Sequence, residues 1–316
     1  MDLDKLDLAI LRELVRESVM PFAGLTLRRS FRSIAKDLGV DQGTIRNRLK
    51  KLQNSGLVKG WYLGVNPTLF GDRLATFWFS VRPPSKKSNV IREVSRMKGL
   101  ILLCDRLGAG LNGAFCYDSP STLRKNSKWM AKISNSDDME CEDKRILECK
   151  SVLSPTDWAI IMNLQKDPWK SYSSVARELE LSTKTVKRRI AGLVEDGAIY
   201  LLVKIDLKSM EGRIPADFTV FYDGKTSREE TDRRIRDGLG ENLFFADLQD
   251  PKFGYYALHI PNVKLAEEIR KWITSVIGVA RVDVEVLLEV RAFDSYYLER
   301  VEEMAPKEVR PIARER

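Results

Sequence analysis

A single histidine, His259, stands in 316 residues, alongside four cysteines at 104, 116, 141 and 149, no two of which form a Cys-x-x-Cys pair. A structural zinc site needs four Cys or His ligands, usually closely spaced, so this composition argues against one. Cys104, Cys116, Cys141 and Cys149 read instead as reduced thiols packed in strands, where cysteine behaves as a small hydrophobe. His259 lies alone in YYALHIP, with no Ser, Cys or Asp spaced to build a triad around it, and reads as structural. No run of about 18 apolar residues occurs, which excludes a helical membrane span and leaves no expected membrane partner. The opening MDLDKLDLAILREL lacks the basic start and apolar stretch of a secretion signal, so the cytoplasm, on the nucleoid, is the expected location. Gly108-Ala-Gly110-Leu-Asn-Gly113 fits G-x-G-x-x-G, but the following AFCYD reads as a strand and not the helix a dinucleotide loop requires. A β-turn is the better reading there.

What the chain does have is a surplus of positive charge, a net +8, and an internal repeat. The charge suits a polyanionic partner, although it carries weight only if it lies on one face. The repeat is more informative. RSFRSIAKDLGVDQGTIRNRLKKLQNSGLVKGWYLGVNPTLFG at 29–71 aligns without a gap on KSYSSVARELELSTKTVKRRIAGLVEDGAIYLLVKIDLKSMEG at 170–212, 141 positions on. Ala35 meets Ala176, Thr44 meets Thr185, Arg48 meets Arg189, Leu52 meets Leu193 and Gly56 meets Gly197. A self-similar chain must be read as repeated units before any fold is assigned.

Each unit predicts a helix-turn-helix. Leu3, Leu6, Ile10, Leu11 and Leu14 give an opening helix one apolar face. Its counterpart is LSPTDWAIIMNLQ at 153–165, with Ser154 as N-cap and Pro155 in the first turn. The openings are offset by 150 and not 141 positions, so the first copy carries nine extra residues around 16–28. Asp41 and Ser182 are expected to cap the third helices, and Gly56 and Gly197 to end them. The segments after those glycines, LVKGWYLGVN and AIYLLVKID, are expected to form the strands of a wing. Behind each head, alternating apolar residues predict a β-α-β-β-α-β unit, with Trp129 and Trp272 in matching core helices. The expected limits are 1–72 and 151–212 for the heads, 73–150 and 213–293 for the βαββαβ units, and 294–316 for a tail that starts with a short helix.

The third helices carry the chemistry. Ile45, Leu49 and Leu52 form a buried stripe on one, Val186, Ile190 and Leu193 on the other. The opposite faces present Gly43, Arg46, Asn47, Lys50 and Lys51 in the first, and Lys184, Lys187 and Arg188 in the second. Such a helix fits the DNA major groove, where Arg and Lys read guanine and Asn reads adenine. Thr44, Arg48, Thr185 and Arg189 flank those faces and are placed for phosphate contacts, which position a helix without specifying sequence. The two faces differ, Gly43 and Asn47 standing where the second copy has Lys184 and Arg188. The heads are therefore expected to prefer different half-sites on double-stranded DNA.

On these openings, helix-turn-helix blocks and βαββαβ units, over about 3–293, the sequence resembles the Lrp/AsnC family of transcriptional regulators written twice. The resemblance implies an α+β fold, with two winged helix-turn-helix domains alternating with two ferredoxin-like, RAM-type domains. It also implies face-to-face pairing of the two βαββαβ sheets within one chain, as a pseudo-dimer, and further self-association between chains. Many members of the family bind amino acids near a Gly-Asp-rich turn between the second and third strands. The matching turns here hold Gly108, Gly110 and Asn112 in LGAGLNGAF, and Asp250 in LQDPKFGYY. They lack the family's acidic pattern, which counts against an amino-acid effector, and no other cofactor is expected. The enzyme alternative is a sirohaem decarboxylase, which resembles a fused Lrp/AsnC pair and uses histidines of the βαββαβ strands, whereas this chain has only His259 and no His-x-Tyr or His-rich strand. A third reading, a regulator that docks on a protein, would use the 16–28 segment and the tail.

Overall fold

A computed structural model describes residues 3–19, 31–144, 146, 149, 152–248, 250 and 252–305. The first head is α1 (Lys5–Val19), α2 (Phe31–Asp37), α3 (Gln42–Asn54) and β1 (Val58–Val65). The first βαββαβ unit runs β2 (Arg73–Ser80), α4 (Lys87–Val94), β3 (Leu100–Arg106), β4 (Gly110–Tyr117), α5 (Pro120–Ser134) and β5 (Glu140–Lys144). The second head is α6 (Pro155–Lys166), α7 (Tyr172–Glu178), α8 (Thr183–Glu195) and β6 (Ile199–Ile205). Its unit is β7 (Ile214–Tyr222), α9 (Arg228–Leu239), β8 (Leu243–Asp247), β9 (Phe253–Ile260), α10 (Val263–Ser275) and β10 (Val279–Ala292), and α11 (Ser295–Met304) follows.

The heads form where the periodicity puts them. Ile34, Ile45, Leu49 and Leu52 pack beneath Leu8 and Leu11 in the first. Val175, Val186, Ile190 and Leu193 pack beneath Trp158 and Ile161 in the second. Asp41 accepts the Thr44 amide at 2.9 Å, and Ser182 accepts that of Thr185 at 3.0 Å, so both helix starts are capped as expected. Ser154 and Asp157 form a reciprocal capping box at the start of α6. Gly56 and Gly197 follow α3 and α8 with φ of +79° and +69°, a backbone that glycine adopts without strain.

The wing is built differently from the expectation. Among the described residues no hairpin forms within either head. Instead β1 pairs antiparallel with β6 of the other head, Tyr62 opposite Leu202 and Gly64 opposite Tyr200. The partner strand lies 141 residues away, which local pattern cannot encode. Each head also packs on the other's strand. Tyr62, Leu63 and Val65 of β1 belong to the second head's core, and Val203 and Ile205 of β6 pack against the first.

The eight remaining strands form one sheet in the order β5-β2-β4-β3-β10-β7-β9-β8, joined between the units by antiparallel β3 and β10. In each unit one face meets its helices: Ala75, Phe77 and Phe79 pack with α4 and α5, and Ala216, Phe218 and Val220 with α9 and α10. Across the outer ends, Lys144 of β5 reaches Asp250 at 3.4 Å, and Lys252 reaches Glu142 at 2.7 Å. The sheet thus folds back on itself, hydrogen-bonded at one seam and bridged by ion pairs at the other.

Trp129 packs on its unit's core as expected. Trp272 is 37% exposed and lies over Gly238, where a Cβ would come within 2.2 Å of the ring. The four cysteines are free thiols, Cys104 and Cys116 buried and the other two partly so. The short helix expected in the tail is α11, whereas 306–316 and most of the 16–28 insertion fall outside the described residues.

Candidate nucleic-acid interface

The capped starts of α3 and α8 fix which side chains leave each head. Gly43, Arg46, Asn47, Lys50 and Lys51 are exposed on α3, and Lys184, Lys187 and Arg188 on α8. Arg46, Asn47, Lys50, Lys184, Lys187 and Arg188 make no ion pair or side-chain hydrogen bond among the described residues. Their donors are free for an external acceptor.

The flanking residues are engaged at home. Arg48 Nη1 lies 3.1 Å from Asp7 Oδ1 and also binds Asp4, while Lys51 Nζ meets Asp7 Oδ2 at 3.0 Å. In the second head Arg189 Nη1 donates to Asp157 at 2.9 Å and to the Ser154 hydroxyl at 3.1 Å. The acids are buried, Asp7 at 0% and Asp157 at 9% exposure. Burial alone would raise the pKa of Asp157, but the Ser154 and Arg189 hydrogen bonds outweigh it and hold the carboxyl below its usual range. Arg48 thus pins α3 to α1, and Arg189 pins α8 to α6. The Thr44 hydroxyl donates to Asp41, and those of Thr185 and Ser182 lie 2.8 Å apart. The free cations on the helix faces, and not Arg48, Lys51, Thr44, Thr185 or Arg189, are therefore the groups open to a polyanion.

Sequence reading missed what fixes the heads against each other. Phe31 of α2 stacks on Trp169 of the second head at 5.4 Å between ring centroids, and Trp61 of β1 meets the same ring edge-on at 5.3 Å. The sequence hinted at this only through Trp61 and Trp169, which fall on Leu202 and Arg28 in the repeat, whereas Phe31 falls on Tyr172. α11 adds a second brace. Tyr296 donates to Asp72 at 2.7 Å, the Tyr297 and Tyr200 hydroxyls lie 3.0 Å apart, and Arg300 donates to the Phe70 carbonyl at 2.8 Å.

The two turns expected as effector sites, one in each unit, lie in different surroundings. The turn between β3 and β4 is shorter than expected, because β4 already starts at Gly110 and includes Asn112. Gly108, at φ +81°, offers its carbonyl to Lys87 at 2.8 Å, and Asn112 accepts from Arg106 at 2.7 Å. Asp250 sits in the β8–β9 turn, on the other seam, accepting from Lys144 and from the Lys252 amide.

Comparison with known proteins agrees with this geometry. The AsnC-type helix-turn-helix domain matches twice, at residues 3–53 and 153–194. The chain thus carries the AsnC-type helix-turn-helix domain twice, in the tandem form expected of an Lrp/AsnC-like chain. An HTH-type transcriptional regulator of Methanocaldococcus jannaschii, Ptr1, is 30% identical over 106 residues, 34% of this chain and 66% of the relative. An uncharacterised HTH-type transcriptional regulator of Pyrococcus horikoshii is 38% identical over 97 residues, 31% of this chain and 57% of the relative. The matches thus span less than two thirds of these relatives. Over the whole length, the chain is similar to the siroheme decarboxylase NirDL solved with an iron-uroporphyrin III analogue, at a TM-score of 0.54, 15% identity and 95% coverage of this chain against 98% of that one. At that identity the likeness concerns the fold alone.

Proposed function

We propose that this Lrp/AsnC-type protein is a sequence-specific transcriptional regulator of double-stranded DNA and not an enzyme, reading two different half-sites with the recognition helices of an internal pseudo-dimer. One observation carries the reading. At equivalent faces of two capped, braced heads, the helix side opposite the core holds cations with no partner among the described residues: Arg46 and Lys50 on α3, Lys184, Lys187 and Arg188 on α8. A buried ion pair holds each helix against its own head, so the exposed groups are presented on a rigid support. The domain limits, self-association through the βαββαβ units and a place on the nucleoid belong to the same reading.

The test is selection of genomic fragments by the purified protein, followed by anisotropy titration of the best fragment across salt. A preference of about 1000-fold or more over random DNA, with a steep salt slope, supports the reading. Unchanged affinity after Lys184→Ala plus Arg188→Ala would overturn the site assignment.

A second reading, a tetrapyrrole-handling enzyme, has one observation in its favour, the whole-chain likeness to NirDL. Against it, His259 is 2% exposed, packed beside Phe244 with ring centroids 5.8 Å apart. Addition of haem or sirohaem separates the readings: a shifted Soret band with no selected DNA would favour the enzyme.

A further inference from the structure

Beneath the β1–β6 ribbon, the folded-back sheet encloses a chamber of about 550 Å³. That lies within the range of small-molecule sites, about 300–1,000 Å³. Both units contribute walls, with Leu102, Cys104 and Ala114 from the first and Tyr255, Ala257 and Leu287 from the second. The walls are largely apolar. Lys59, Lys204 and Arg291 also line it, but each is paired with an acid, Asp206, Asp294 and Glu289 respectively, whereas Asp217 of β7, also in the lining, is 1% exposed. It stands where the repeat puts Thr76 in the first unit, so the carboxyl has no counterpart.

Asp217 is incompletely satisfied. Arg106 Nη1 lies 2.9 Å from Oδ2 and the Tyr255 hydroxyl stands beside the carboxyl and favours its ionised form, yet neither carboxylate oxygen receives a hydrogen bond of good geometry among the described residues. The same guanidinium is shared with Glu285 at 3.0 Å. Two acids thus face one cation, leaving a charge of −1 at this spot. Burial pushes the Asp217 carboxyl up to about 6 against the pull of Arg106, so at neutral pH it is mostly ionised. A buried carboxylate with an open lone pair is costly unless a donor reaches it.

We propose that the chamber binds a small molecule with an apolar body and a primary ammonium group, the ammonium donating to Asp217 and the body filling the space under the ribbon. The missing donor and the missing positive charge are supplied together by an amine. An alcohol would supply only the donor, and a carboxylate neither. The ribbon that roofs the chamber carries both heads, so occupancy would also bear on their spacing. That coupling rests on the DNA-binding reading, whereas the binding itself does not.

The full chain, without DNA, is titrated calorimetrically with 2-phenylethylamine, 2-phenylethanol and phenylacetate. The expected result is binding of the amine at least tenfold tighter than the alcohol, with no binding of phenylacetate. Asp217→Asn should erase the amine's advantage over the alcohol. Ala114→Phe, which puts a ring into the chamber, should weaken binding of both at least tenfold and keeps the test decisive if Asp217→Asn does not fold. No binding of the amine to the native chain, or amine binding unchanged by Ala114→Phe, overturns the proposal. Amine binding by a chain that selects no DNA would uphold the chamber and reject the regulator.

Discussion

Arg48 and Arg189 show how a residue's role depends on a partner far away in sequence. Both sit at the margin of a helix face, where spacing alone suggests phosphate contact. Both are held by an acid from the first helix of their head, 41 residues before Arg48 and 32 before Arg189. The faces themselves, Arg46 and Lys50 or Lys184, Lys187 and Arg188, were legible because they follow from the 3.6-residue period. The acid partners were not, because nothing local encodes them. Arg189→Met should cost about 1–3 kcal/mol of stability by leaving Asp157 short of a donor. Arg48→Met should cost less, since Lys51 still pairs with Asp7, whereas its repeat position is Gly192. Urea denaturation checks both, and equal losses would count against this account. His259 gives a pH prediction. Burial holds it down to about 4 from 6.5, with Arg213 and Arg12 adding to the effect and Glu241 opposing it. Between these values the unfolded chain binds the proton and the folded one does not, so stability falls as pH drops from about 6.5 towards 4, by up to about 3 kcal/mol. Asp217, raised by burial, has the opposite sign over part of the same range. The clean measurement is therefore the difference between the native chain and His259→Phe, whose stability should fall less steeply on the acid side.

At the scale of elements, the helices, their caps and the two βαββαβ units were readable in the sequence, since each depends on neighbours within a few residues. The ribbon was not. LVKGWYLGVN and AIYLLVKID have the alternation of strands, but the pairing of Gly64 with Tyr200 is decided by the assembly of the two halves. The exchange ties each head to the strand of the other, so the heads cannot separate without exposing both cores. Gly64 is where this is most sensitive. A Cβ there would lie 2.1 Å from the Tyr200 ring, which in turn meets the Tyr297 hydroxyl of α11 at 3.0 Å. Gly64→Ala should displace that ring and cost about 1–3 kcal/mol, in the usual range for overpacking. Hydrogen exchange should then quicken in β1, β6 and α11 together, while amides of β2 and β7 keep their protection. Faster exchange confined to β1 would mean that the ribbon does not act as a unit.

For the whole molecule, duplication in one chain allows what two identical chains cannot, divergence of the halves. The halves differ at the exposed faces of α3 and α8 and at the chamber wall. Gly43 and Asn47 face Lys184 and Arg188, Lys50 faces Ala191, and Thr76 faces Asp217, while core positions such as Ala35 and Ala176 or Leu52 and Leu193 are kept. Counting only cations without a partner among the described residues, α3 has two, Arg46 and Lys50, and α8 has three, Lys184, Lys187 and Arg188. If each meets one phosphate or base, the second head dominates the electrostatic part of binding. Each lost phosphate contact lowers the slope of log affinity against log salt by about 0.9. Lys184→Ala plus Arg188→Ala should therefore flatten the slope by up to about 2 and weaken one half of the operator. Arg46→Ala should flatten it by about 1 and weaken the other. Footprinting of the two variants on one selected fragment reads both effects. Loss of protection at the same half in both would mean that the heads are not independent readers and that the asymmetry of the chain serves something other than an asymmetric site.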